Sequence, residues 1–163
     1  MANETIKVGF VGAGANTPQR HNQGLRAQQG LELSGVANRT IESSQTAVDK
    51  FELGEAYPTW LHLIEDPEID AVCIGNWRYM DSTITLAALD KGKHVLCEAR
   101  MAMNSFEARD MYAASVANPD LITQIVPCLL YKSDAADDTP CVDLCGRRII
   151  KKKKGGGRGG GGG

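Results

Sequence analysis

Apolar runs rich in β-branched residues alternate with stretches of helical spacing from Ile6 to Val126 of the 163-residue chain. The runs predict strands at residues 6–11, 31–37, 71–74, 94–97 and 121–126, with a short one near Tyr57. The intervals predict helices. The first is expected to start near Pro18, a residue suited to a first turn, and to run towards Gln29 with Gly30 as its stop. Thr40 is the expected cap of the next, which carries Ala47, Val48 and Phe51 on one side and ends before Gly54. Trp60, Leu61, Leu63 and Ile64 read as the packing face of a short helix. Another helix spans residues 81–89 and closes at Lys91 and Gly92, and Asn104 with Glu107 forms a capping box for the last, with Phe106 and Met111 as packing residues. Such alternation builds βαβ units, so the expected fold is α/β with a doubly wound, mostly parallel sheet.

In a sheet of that kind ligands sit outside the carboxyl ends of the strands, which singles out the residues after Val11, Ala37, Ile74 and Cys97. The first strand runs into Gly12-Ala13-Gly14-Ala15-Asn16-Thr17. Gly12 turns the chain off the strand, Gly14 lets a pyrophosphate approach bare backbone, and the amides of the helix that follows supply positive potential. Thr17 takes the third glycine's place. This start belongs to Rossmann-like dinucleotide-binding folds, although a glycine pattern alone is weak and gains its weight from the strands around it. No carboxylate follows the second strand to hold the ribose hydroxyls of NAD; Asn38, Arg39 and Thr40 stand there, with Ser43 and Ser44 close behind. Arg39 can receive a 2′-phosphate through charge-assisted hydrogen bonds, which tilts the expected cofactor from NAD towards NADP. The alternative reading of Arg39 is an exposed side chain at the head of a helix.

The run from Lys93 to Arg100, taken with Ile6 to Gly14, Asp70 to Ile74 and Ala87 to Leu89, resembles the N-terminal domain of the Gfo/Idh/MocA oxidoreductases over nearly all of residues 6–127. The resemblance implies a domain that binds NAD or NADP, followed by a second α/β domain that carries substrate. It places Gly12, Gly14, Ala15, Asn16 and Thr17 on the pyrophosphate, Asn38 and Arg39 at the ribose-discriminating position, and Gly75, Asn76 and Trp77 on the nicotinamide side. Glu98 matches the glutamate of the family's Glu-Lys-Pro motif. Ala99 and Arg100 replace its lysine and proline, and Asp81 stands where many members have histidine. Alanine neither donates a proton nor holds a charge, so no catalytic residue is assigned within this chain. The Glu-Ala-Arg form resembles one subgroup of the family.

From Cys128 onward the pattern changes. Apolar residues lose both periods, and Lys151 to Lys154 lead into a glycine tract. Leu129 to Asp137 resembles translated sequencing-library adapter, with Lys132 where threonine would stand, and Val142 to Ile150 resembles the opposite adapter in the same frame, with Cys145 for a glycine. Repeated adenines would encode the lysines, and an exhausted signal the glycines. The expectation is a domain over residues 1–127, an artefactual and disordered tail over 128–163, and a substrate domain missing from this sequence.

The tail carries eight Lys or Arg against four Asp or Glu, which leaves ten against sixteen, a net charge of −6, in residues 1–127. That balance offers no footprint for nucleic acid, unless the lysine and glycine arm is real. Cys128, Cys141 and Cys145 belong to the tail, while Cys73 and Cys97 fall in buried strands as packing residues of a reducing compartment. His62 lacks a second ligand for a metal, His94 reads as structural, and His21 lies near the phosphate turn. Neither a signal peptide nor an apolar run of membrane-spanning length is expected, so the default is cytoplasmic. The functional expectation is the cofactor-binding part of an oxidoreductase that acts on a sugar, polyol or related hydroxyl compound and is inactive by itself. The alternative is a non-catalytic dinucleotide-binding module or sensor.

Overall fold

The computed structural model describes residues 5–13, 24–75 and 79–126. The chain separates into two units, Met1–Pro127 and Cys128–Gly163, and every described element lies in the first. The described residues hold six strands: β1 (Ile6–Val11), β2 (Leu31–Ala37), β3 (Glu55–Tyr57), β4 (Ala71–Ile74), β5 (His94–Glu98) and β6 (Thr123–Val126). They form one parallel sheet in the order β3-β2-β1-β4-β5-β6. From β1 the chain steps outward through β2 to β3, then returns to β1's other side for β4. That reversal opens a crevice between the carboxyl ends of β1 and β4.

Among the described residues, the helices that cover the sheet include α1 (Ile41–Phe51), α2 (Trp60–Glu65), α3 (Asp81–Asp90) and α4 (Ser105–Ala117). On one sheet face Ala47 of α1 packs with Val8, Phe10, Leu33, Val36, Leu53 and Cys73. On the other, Leu63 and Ile64 of α2 and Ile84, Ala88 and Leu89 of α3 pack with Val11, Ile74, Val95 and Cys97. Burial on both faces is what makes the central strands continuous apolar runs.

The caps follow the sequence. Thr40 accepts from the Ser43 amide at 3.3 Å, and α1 stops at Glu52, a left-handed residue with φ 52°. Asn104 Oδ1 accepts from the amides of Phe106 and Glu107, both at 2.9 Å. Glu107 departs from the standard capping box, because its carboxylate accepts from the Met103 amide at 2.8 Å, one residue before the cap. Two packing expectations and one strand boundary need correction. Phe106 is 73% exposed, because Met111 and Ala114 occupy the core side of α4. Leu61 is 47% exposed, since Leu63 and Ile64 already fill that side of α2. The last strand starts at Thr123 rather than at residue 121, because the Leu121 amide is spent on the Asn118 carbonyl in a turn. Most of the helix expected over 18–29 lies outside the described residues; its described end is helical at 24–26 and turns from residue 27.

Two polar devices tie the layers. The buried Lys93 ammonium donates to the carbonyls of Asp66 at 2.8 Å and Ile69 at 2.6 Å, fixing the approach to β4. The Tyr57 phenol donates to the Asp66 carboxylate. That bond, reinforced by the Glu68 amide, holds the Asp66 carboxyl below its ordinary value. A carboxyl lowered in the folded state adds stability above its unfolded pKa of about 3.9, and the gain disappears as pH falls through the lower folded value. Tyr57→Phe is therefore expected to lose stability at pH 7 by up to about 1 kcal/mol, the upper range for a solvent-screened pair. The difference from the parent should shrink as pH falls through the lowered folded value of Asp66, below which that carboxyl is protonated in both the folded and the unfolded state. Urea unfolding at pH 7 and pH 2.5 measures it, and an equal deficit at both values would refute the linkage.

Candidate functional site

The crevice begins where β1 ends. Gly12 has φ 81°, the left-handed region open to glycine, and its amide donates to the Ala37 carbonyl at 2.9 Å. The Gly75 amide donates to the Val11 carbonyl at 3.0 Å, so the exits of β2, β1 and β4 are joined. Gly14, Ala15, Asn16 and Thr17, expected on the pyrophosphate, and Asn76 and Trp77, expected beside the nicotinamide, lie outside the described residues, as does His21.

Asn38 follows β2 and is 8% exposed. Its backbone amide donates to Ser44 Oγ at 2.8 Å, and Ser44 in turn donates to the Tyr57 carbonyl at 3.1 Å, joining the carboxyl ends of β2 and β3 through the first turn of α1. Asn38 Nδ2 donates to the Ser43 carbonyl at 3.0 Å and reaches the Ala13 carbonyl at 3.5 Å. Its Oδ1 is buried and finds no donor among the described residues. An acceptor left without a partner costs about 1–3 kcal/mol, so the position suits a hydroxyl donor such as a ribose offers.

Arg39 comes next and is exposed. It borders a groove of about 310 Å³ with Asn38, Pro58, Thr59, Trp60, Tyr79 and Met80. A guanidinium at the mouth supplies the planar donor fork that phosphate oxygens take, and Trp60 and Tyr79 offer aromatic surface to a flat base. Neither aromatic was picked out as a site residue by sequence reasoning. Tyr79 lies outside every apolar run, and only its position just before α3 hints at the crevice.

The other side of the crevice carries acid. Asp81 opens α3 and is 5% exposed, and Glu98 closes β5. The peptide between Ala99 and Arg100 is cis, and Met101 has φ 44°. Cys97 is buried, and its thiol is pushed up to about 12 by burial first and then by the Asp81 charge. Burial likewise raises the Cys73 thiol, with Glu98 adding to it, so neither cysteine offers a thiolate at neutral pH. His94 Nδ1 accepts from the Ile122 amide at 3.0 Å, and His62 Nδ1 lies 2.8 Å from Thr59 Oγ1. No three His, Cys, Asp or Glu side chains converge as metal ligands among the described residues. No described helix is long and apolar enough to cross a membrane.

A larger groove of about 430 Å³ lies at the amino ends of the strands, against Lys7, Glu68, Asp70 and His94. Size favours it, but the exits of the strands, the unsatisfied Asn38 acceptor and the α3 N-terminus are all at the opposite end of the sheet.

Residues 6–123 match the family model described as oxidoreductase family, NAD-binding Rossmann fold (GFO_IDH_MocA). Among curated proteins, the chain is 30% identical over 107 residues to a 1,5-anhydro-D-fructose reductase of Ensifer adhaerens, covering 66% of this chain and 32% of that protein. It is 26% identical over 121 residues to an inositol 2-dehydrogenase of Pseudomonas syringae pv. syringae, covering 74% of this chain and 36% of that one. Among solved structures, KijD10, a 3-ketoreductase from Actinomadura kijaniata crystallised with TDP-benzene and NADP, superposes with a TM-score of 0.68 at 24% identity, covering 75% of this chain and 38% of that chain. The chain spans about a third of the length of these relatives.

Proposed function

Because the chain belongs to the Gfo/Idh/MocA oxidoreductases, through its NAD-binding Rossmann domain over residues 6–123, we propose that it is the cofactor-binding part of an NADP- or NAD-dependent enzyme acting on a sugar, polyol or related hydroxyl compound. The observation that carries the cofactor assignment is the grouping after β2 of a buried unsatisfied acceptor, an arginine and a groove of about 310 Å³. Asn38 holds the adenosine ribose and Arg39 binds a 2′-phosphate, which favours NADP. Gly12, Gly14 and the amides of Ala15, Asn16 and Thr17 receive the pyrophosphate. Gly75, Asn76, Trp77 and Glu98 border the nicotinamide. The bound nicotinamide supplies the hydride chemistry, and this chain's residues bind and orient it.

The printed activities of the curated relatives, on an anhydro sugar and on inositol, support the substrate class. By itself the chain binds dinucleotide and turns nothing over, because no residue here takes or gives the substrate's proton. Nucleic acid is not a partner, since residues 1–127 are acidic. We place the protein in the cytoplasm. A second reading, a dinucleotide-binding module or sensor without catalysis, is favoured by Ala99, which stands where the family's motif has lysine.

Rereading the gene past the codon for Val126 from an unfragmented template separates these. A second α/β domain with a histidine and carboxylates for the substrate supports the enzyme. A second domain without them supports the sensor, and lysine and glycine codons at the tail withdraw the enzyme reading.

A further inference from the structure

The two edges of the sheet are built differently. The edge strand β3 is three residues long and carries Glu55, whereas Leu121 to Pro127, the run that holds β6, has no charged residue. Edge strands are commonly guarded by charge, proline or a bulge, and β6 itself carries neither charge nor proline. Its backbone divides by side. The Val95 amide donates to the Ile122 carbonyl at 2.9 Å and the Ile122 amide donates to His94 Nδ1 at 3.0 Å, so both polar groups of Ile122 face β5. Alternation along the strand turns those of Gln124 to β5 as well, and points the amides and carbonyls of Thr123 and Ile125 outward, without a partner among the described residues. Large apolar side chains beside this edge are open to solvent: Ile122 is 68% exposed, Ile125 37% and Tyr112 of α4 71%. Tyr112 and Ser115 of α4 line one cavity of about 160 Å³ with Thr123 and Ile125.

We infer that β6 is a pairing edge for a second copy of this chain. A two-fold axis through Gln124 sets the two strands antiparallel and makes the contact self-complementary. Thr123 of each copy then stands opposite Ile125 of the other, and the outward amides and carbonyls of the two residues exchange both main-chain bonds. Their side chains lie on the α4 face of the sheet, because Thr123 is in register with Val95 and Ile125 with Cys97, both packed on that side. On the other face Ile122 meets Val126, and Gln124 meets its own copy. No like charges oppose. An axis perpendicular to the sheet leaves both α4 helices on one face, with Tyr112 of each beside the junction. The exposed surface of Tyr112, Ile122, Thr123, Gln124 and Ile125 is on the order of 500 Å² per copy, below the roughly 800 Å² of a standard interface and in the range of weak, reversible pairs. The inference does not depend on the cofactor assignment.

Sedimentation velocity of the 163-residue chain at low and high micromolar concentration tests this. The expected result is a reversible monomer–dimer equilibrium. Thr123→Pro removes an outward amide and leaves the bonds to β5 in place, so it should weaken dimerisation about tenfold or more with the circular dichroism of the fold unchanged. Tyr112→Lys lies outside the strand, should weaken dimerisation by a similar factor, and keeps the test open if Thr123→Pro disturbs β6. Phe106→Lys is the control, because Phe106 is 73% exposed on the same helix but does not line the cavity beside β6. It should dimerise as the parent does. A parent chain that stays monomeric at high micromolar concentration would overturn the inference. So would association undiminished in either folded variant of Thr123 or Tyr112, or lost equally in Phe106→Lys.

Discussion

Arg39→Ala is expected to weaken NADPH binding about 10- to 100-fold while changing NADH binding by no more than about twofold. The range follows from charge-assisted hydrogen bonds worth about 1.5–3 kcal/mol, with each 1.4 kcal/mol equal to tenfold in affinity. Arg39 is exposed at the mouth of the groove after β2, so its removal opens no cavity in the core. The neighbouring Asn38 and the Ser44 link hold the backbone without it. Fluorescence titration of both reduced cofactors reads the result. Equal losses for the two, or none, would remove the 2′-phosphate from Arg39 and with it the preference for NADP.

Gly54→Ala should be the most damaging single change to the fold. Gly54 has φ +78°, and an added Cβ would stand 2.3 Å from the Ser34 carbonyl oxygen and 2.5 Å from its carbon. Ser34 is backbone of β2, between Leu33 and Gly35, both paired to β1, and it lies where the register between those strands shifts. The obstacle is therefore main chain in the sheet, which yields less readily than a side-chain end. The left-handed conformation costs alanine about 1–2 kcal/mol, and the forced overlap adds about 1–3 kcal/mol. A total of about 2–5 kcal/mol is a large part of a usual stability of about 5–15 kcal/mol. Gly92→Ala is the matched control, because Gly92 has φ +72° and open space around its Cβ position. It should lose only the conformational part. Chemical denaturation of both variants decides, and equal losses would mean that the contact with Ser34 costs nothing.

The strands were legible because a parallel sheet covered on both faces demands apolar runs, which β4 has throughout and β1 and β2 have towards their buried carboxyl ends, at Val8 to Val11 and Gly35 to Ala37. The edge strand β6 was blurred. Its residues are largely exposed, so no burial pattern marks its start, and Leu121 extends the apolar run into a turn. Phe106 misled for a related reason: helix α4 carries apolar residues around its whole circumference, and sequence alone does not say which side meets the sheet. The position of Asn38 and Arg39 after β2, beside the candidate groove, was readable because their distance from the glycine turn is set by one βαβ unit. The groove's aromatic walls were not, since Trp60 and Tyr79 reach Arg39 from separate connections that only the folded sheet brings together.

The proposed dinucleotide lies across the carboxyl ends of β1, β2 and β4. Backbone amide shifts of the isotopically labelled chain, followed during titration with NADP⁺, test that directly. The predicted result is saturable change at Gly12, Asn38, Arg39 and Gly75, with the amino-end groove of Lys7, Glu68, Asp70 and His94 undisturbed. Change concentrated in that amino-end groove, or none at millimolar cofactor, would contradict it.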